Sequence, residues 1–143
     1  MDAMGQPAIA AVFTDNAPSP AGHYAQAILH GDTIYVSGQL PVAPNGDHDP
    51  AAAFDDQARR ALANLLAIVE AAGGSGERIL KVTAYIVGVE HWPSFNAVYA
   101  EVFGSAQPAR SVVPVPELHH GYLVEVDAIA ATGSRPRRRG GAT

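Results

Sequence analysis

The sequence predicts an α+β fold in which one mixed sheet carries two helices on the same face. Three observations predict it. Runs rich in β-branched and aromatic residues outnumber stretches of helical periodicity, of which there are two. The runs fall in the order β-β-β-α-β-α-β-β, which suits an α+β layer better than a repeating β-α unit. The chain has 143 residues, 48% hydrophobic and 16% charged, enough to build one core and too apolar for a disordered chain. We expect a single domain over residues 1–143, with its core at about 8–133 and loose ends at 1–7 and 134–143.

The apolar run Ala8 to Phe13 reads as a short edge strand, and Asn16-Ala-Pro-Ser-Pro20 as the loop after it. Tyr24 to Ser37 contains two β-leaning runs divided by His30-Gly31-Asp32, a tight hairpin turn. Pro41, Pro44, Asn45-Gly46 and Asp49-Pro50 crowd residues 39–50 and make an irregular loop. From Phe54 to Ala72, Ala58, Ala61, Leu62, Leu65, Val69 and Ala72 recur at spacings of three and four, the stripe of a helix. Asp55 and Asp56 suit the positive end of its dipole, and Gly73-Gly74 supply its stop.

Lys81 to Val89 has the composition of a buried strand. Trp92 to Phe103 returns to helical spacing through Phe95, Val98, Tyr99 and Val102, and Gly104 closes it. Arg110 to Val115 and Tyr122 to Ala131 are the last two strands, with Pro114, Pro116 and Gly121 expected in the turns between them. Two helices hide one side of a sheet. Tyr85, Val87, Val126 and Ile129 are candidates for apolar residues on the other side, and association of copies through that open face would cover them.

Charge and composition exclude several classes of function. The 14 acidic residues face nine basic ones, four of which are Arg135, Arg137, Arg138 and Arg139; residues 1–134 therefore carry a net −9. Such a body repels phosphate backbones, so no nucleic-acid partner is expected outside the tail, where a solvated basic segment is the simpler reading. Without cysteine there is no disulfide, thiolate metal site or Cys nucleophile. No apolar stretch reaches the roughly 20 residues of a membrane helix and no secretory leader is visible, so we expect a cytoplasmic protein without a membrane partner.

Gly73-Gly-Ser-Gly76 follows a helix and lacks the lysine and strand-loop-helix setting of a phosphate cradle. His119-His120 reads as a polar turn, since neighbours on a strand or turn point apart, and no metal site is expected there. Arg110 is one of five basic residues outside the tail and opens a strand, where its rigid fork suits a carboxylate; the plainer alternative is a surface pairing with Glu101 or Glu117. Glu125 sits within Leu123-Val-Glu-Val-Asp-Ala-Ile, on the side of the strand shared with Leu123 and Asp127. If that side lines a cleft, burial raises its pKa and equips it to handle a proton of bound water.

Five stretches, in order and at matching separations across residues 20–131, resemble the RidA (YjgF-like) family: Gly22-His-Tyr-Ala-Gln-Ala-Ile, Ile34-Tyr-Val-Ser-Gly-Gln-Leu-Pro, Asn96-Ala-Val-Tyr, Pro108-Ala-Arg-Ser and Leu123-Val-Glu-Val-Asp-Ala-Ile-Ala. The resemblance implies a chorismate-mutase-like fold assembled as a homotrimer with clefts between subunits. It also implies the activity of a 2-iminobutanoate/2-iminopropanoate deaminase, hydrolysing imino and enamino acids to 2-keto acids and ammonia with no cofactor and no metal. Carried over by position, Arg110 clamps the substrate carboxylate and Glu125 holds the attacking water. Tyr24 points its hydroxyl at substrate, Ser37 and Gly38 form the wall, and Asn96 contributes from the second helix. Many members have Cys at the position of Val112, whose backbone remains able to contact water; His23 stands where Pro is common, and His119-His120-Gly121-Tyr122 replaces a shorter turn. The competing readings are a non-catalytic trimer that binds small carboxylates, or a relative dedicated to one pathway's imine or enamine.

Overall fold

The computed structural model describes residues 4–133 and builds one six-stranded sheet backed by two helices. The strands are β1 (Ile9–Val12), β2 (Ala27–His30), β3 (Thr33–Gln39), β4 (Ile79–Val87), β5 (Ala109–Val115) and β6 (Val124–Ala131). The helices are α1 (Phe54–Ala71) and α2 (Trp92–Phe103). In space the strands run β1-β2-β3-β6-β4-β5. Only β4 and β5 are parallel, joined by α2 as the crossover; every other pair is antiparallel. The mixed sheet and the paired helices expected from the sequence are present.

Alternation along the strands fixes the two faces of the sheet. Ile34 and Val36 of β3, Val82, Ala84 and Ile86 of β4, and Val124, Val126, Ala128 and Ala130 of β6 are buried in one cluster with the inner stripe of α1 and with Phe95, Val98, Tyr99 and Phe103 of α2. Val126 therefore lies under the helices, fully buried, and not on the open face. The parity of the strand decides it, because Val126 shares its side with Val124 and Ala128, whereas Ile129 points the other way. The open face carries Tyr35 opposite Ile129, Tyr85 opposite both Glu125 and Val113, and Thr83 opposite Asp127. Tyr35 is 47% exposed and Val113 36%.

Other differences from expectation have local causes. β4 starts and stops two residues earlier than Lys81–Val89, because Gly88 takes φ 91° and turns the chain out of the sheet before Val89. Pro114 lies inside β5 and not in a turn, as tolerated where β5 is the edge strand. β6 begins at Val124, after a short helical turn at His119–Gly121. The basic tail lies outside the described residues, as do residues 1–3 and 134.

Buried polar side chains on α1 tie the irregular loop to the core. Asn64 donates to the carbonyls of Leu40 and Val42 at 3.1 and 2.8 Å. Gln57 donates to the carbonyls of Pro50 and Ala52 and accepts the Leu123 N–H. Neither residue has a helical partner for these groups, so the loop supplies them and is thereby held in place.

Candidate active site

A cleft of about 640 Å³ opens where the end of β3, the loop after it and the start of β6 meet. Its floor is set by an irregularity. The pairing of β3 with β6 shifts register between Val36 and Gln39, which places Ser37 and Gly38 in a bulge beside Glu125. Ser37 is anchored by its hydroxyl, which donates to the Ala25 carbonyl at 2.7 Å. Gly38 leaves space that no other residue leaves: a Cβ there would lie 2.5 Å from Glu125 Oε2. Tyr24 lines the cleft at 49% exposure, with its hydroxyl accepting a long 3.4 Å bond from the Ala21 N–H.

Among the described residues Glu125 is the one carboxylate lining this cleft. Half-burial raises its pKa, the neighbouring charge of Asp127 raises it further, and His119 draws it part of the way back. Asp127 is also raised, chiefly by burial, although the Tyr85 hydroxyl donating at 3.4 Å and Lys81 work against that.

Arg110 lies elsewhere in the chain. It pairs in register with Val82, whose side chain faces the helices, so Arg110 points to the helix side of the sheet at its outer edge. Its guanidinium lies 4.8 Å from the centre of the Tyr99 ring, and Nη1 donates to Asn96 Oδ1 at 3.1 Å. The surface pairings considered for it are absent: Glu101 is bound by Arg59, Nε to Oε2 at 2.9 Å. Val112 follows two residues on, on the same helix side as Arg110 and opposite Ala84. The residues singled out from the sequence thus form two groups. Tyr24, Ser37, Gly38 and Glu125 share the cleft, while Arg110, Asn96 and Val112 sit two strands away on the opposite face. Among the described residues no Arg or Lys lines the cleft.

The histidines are the second departure. His119 and His120 do not point apart; their ring centres lie 3.8 Å from each other. His120 adopts φ 62°, the left-handed region, and this folds its ring back over its neighbour. His48, from the loop after β3, adds a third ring at 4.3 Å from His120, and its Nδ1 lies 2.9 Å from the hydroxyl of buried Tyr122. All three imidazoles line the cleft. His48 and Tyr122 escaped sequence reasoning because they meet across 74 positions; Asp49-Pro50 marked the loop but not its destination. Among the described residues no group of three or more His, Asp or Glu is arranged to hold a metal.

Comparison with known proteins assigns the class to which this fold and cleft belong. The chain belongs to the RidA/YjgF family, whose model, described as Endoribonuclease L-PSP, matches residues 14–132. A RutC family protein of Pyrococcus horikoshii is 42% identical over 119 residues, covering 83% of this chain and 94% of that protein. A protein of Dermatophagoides farinae named 2-iminobutanoate/2-iminopropanoate deaminase is 36% identical over 118 residues, covering 82% and 92%. Among solved structures, Escherichia coli TdcF with bound serine superposes with a TM-score of 0.82 at 36% identity, covering 87% of this chain and 99% of that one. No described helix is long and apolar enough to cross a membrane.

Proposed function

We propose that this protein hydrolyses small reactive imino acids and their enamine tautomers to 2-keto acids and ammonia, in clefts completed between the subunits of a homotrimer. The observation that carries this reading is the separation of Glu125 from Arg110. Within one chain the carboxylate lies in a cleft without a cation, and the guanidinium lies on the other face, two strands away, held by Asn96 and Tyr99. A second copy docked on the open face brings its Arg110 to the first copy's Glu125, and also covers Tyr35, Tyr85 and Val113. The deaminase name of a relative 36% identical supports the same chemistry.

Arg110 binds the substrate carboxylate through paired N–H donors and fixes the imine carbon beside Glu125. With the substrate as its iminium ion, Glu125, ionised, takes a proton from water as the water oxygen bonds to that carbon and the C=N π pair moves to nitrogen, giving a neutral carbinolamine. Glu125 returns that proton to nitrogen; the C–N bond then breaks, the C–O bond becomes a carbonyl, and the hydroxyl proton passes to the Glu125 carboxylate and from it to the departing ammonia, which leaves as ammonium. A carboxyl with a raised pKa suits both steps, being a stronger base than a solvated one and still able to release its proton. Ser37 and Gly38 form the wall, Tyr24 presents its hydroxyl to the substrate, and the backbone at Val112 contacts the water. The family description as an endoribonuclease fits this chain less well, since residues 1–134 carry a net −9.

The test generates 2-iminopropanoate and 2-iminobutanoate with an amino-acid oxidase and follows imine loss. Wild type accelerates it, and Arg110→Ala, with the loss of about 2–4 kcal/mol of transition-state stabilisation, does not. Absence of acceleration by wild type rejects the activity and favours a trimer that only binds carboxylates.

A further inference from the structure

We propose that His48, His119 and His120 form a stacking subsite for the substrate's side chain, selecting imino acids that carry a planar aromatic substituent. The inference rests on the deaminase reading and concerns the far end of the same cleft.

Two observations support it. The ring centres of His119 and His120 lie 3.8 Å apart and those of His48 and His120 4.3 Å apart, with the planes tilted by 58° and 45°, so aromatic faces and edges are gathered at one end of the cleft. The surface is also held in place. Tyr122, 1% exposed, accepts the Asp49 N–H at 3.1 Å, and its own hydroxyl proton is then free to go to His48 Nδ1. That contact fixes the orientation of the His48 ring.

The alternative is a cationic wall for a second carboxylate. Loss of hydration, with the neighbouring His119 and His48, holds His120 below the ordinary imidazole range. Pro18, Ala21, Leu40 and Val42 add apolar surface to the lining. Imidazole rings flanked by these apolar side chains offer a planar substituent contact on both the ring faces and the flanks.

Two measurements on the full-length protein test the subsite. The first compares kcat/KM for imines generated from phenylalanine and from 2-aminobutyrate, in wild type, His119→Ala and His120→Gly; glycine retains the backbone at φ 62°. The ratio of aromatic to small substrate falls about tenfold in each variant if the rings stack the substituent. A ratio that does not change in either variant overturns the subsite. The second measurement titrates the wild type with the stable products phenylpyruvate, 2-oxobutanoate and 2-oxoglutarate, and follows the histidine ring protons by NMR. Upfield ring-current shifts with phenylpyruvate alone support the proposal. A response to 2-oxoglutarate alone overturns it in favour of an anionic substituent. Phenylpyruvate shifts without hydrolysis of either imine uphold the subsite and reject the deaminase; hydrolysis of the small imine without those shifts does the reverse.

Discussion

Gly38 and Glu125 are fitted to each other: the Cα of one leaves the volume that the carboxylate of the other occupies, and a methyl group at position 38 would stand 2.5 Å from Oε2. Gly38 does not lie in the left-handed region, so its lack of a side chain serves this contact and not a turn.

Gly38→Ala therefore displaces the tip of Glu125 with little cost to the fold, because the clashing atom ends a flexible side chain. A displacement of about 1 Å at a reacting group costs on the order of 100-fold in rate. Imine hydrolysis falls by that order while the thermal midpoint stays near that of wild type. A large loss of stability would show instead that the bulge itself depends on glycine.

The protonation of Glu125 makes stability depend on pH in a defined direction. Burial and Asp127 hold its carboxyl above the ordinary range, so the folded protein keeps this proton more tightly than the unfolded chain does. The associated stability is fully present below the carboxyl's unfolded pKa and is lost as pH rises through its folded value. Glu125→Gln stays neutral and gains stability relative to wild type over that interval, although it loses activity. Urea denaturation of both proteins from acid to neutral pH checks it; a difference that does not grow with pH contradicts the assignment. Asp127 is raised in the same sense and remains in both proteins.

Subunit mixing tests the shared cleft. If the proposed trimer shares its clefts, Arg110→Ala and Glu125→Gln, each inactive alone, regain about one quarter of intact clefts when equal amounts are unfolded and refolded together, each such cleft with Glu125 from one copy and Arg110 from another. If both residues served the same cleft from one chain, mixing would restore nothing.

Asn64 is predicted to matter for stability and for the cleft. Asn64→Ala leaves the carbonyls of Leu40 and Val42 without their buried donor, a loss of about 1–3 kcal/mol by denaturant titration. Leu40 and Val42 both line the cleft, so KM for the imine rises as well. A variant as stable as wild type would mean that water takes the amide's place.

How far the sequence could be read depended on the kind of signal. Both helices were legible because their stripes repeat over several turns, and α2 begins and ends at the expected residues. The strands were legible in kind but not in phase. Val89 has β propensity, and only the conformation of Gly88 shows that the strand has already ended. Val126 was assigned to the same face as Ile129 although alternation separates the two; which of them lies under the helices is fixed only by packing. The cleft was legible in part, through the resemblance, which brought Tyr24, Ser37, Gly38 and Glu125 together. The position of Arg110 across the sheet was not, because it follows from the pairing of β5 with β4. The contact between His119 and His120 depends on one backbone angle, and their contact with His48 on a loop path that local pattern does not record.

Pro114 has a consequence for how copies of the chain can join. An edge strand with an unbroken row of donors invites another strand, and strand upon strand leads to open-ended fibres. β5 lacks one of those donors near its end, which makes this edge a poor template for growth along the sheet's plane, and the strand at the other edge, β1, is four residues long. An association through faces, by contrast, can close on itself at a small number of members.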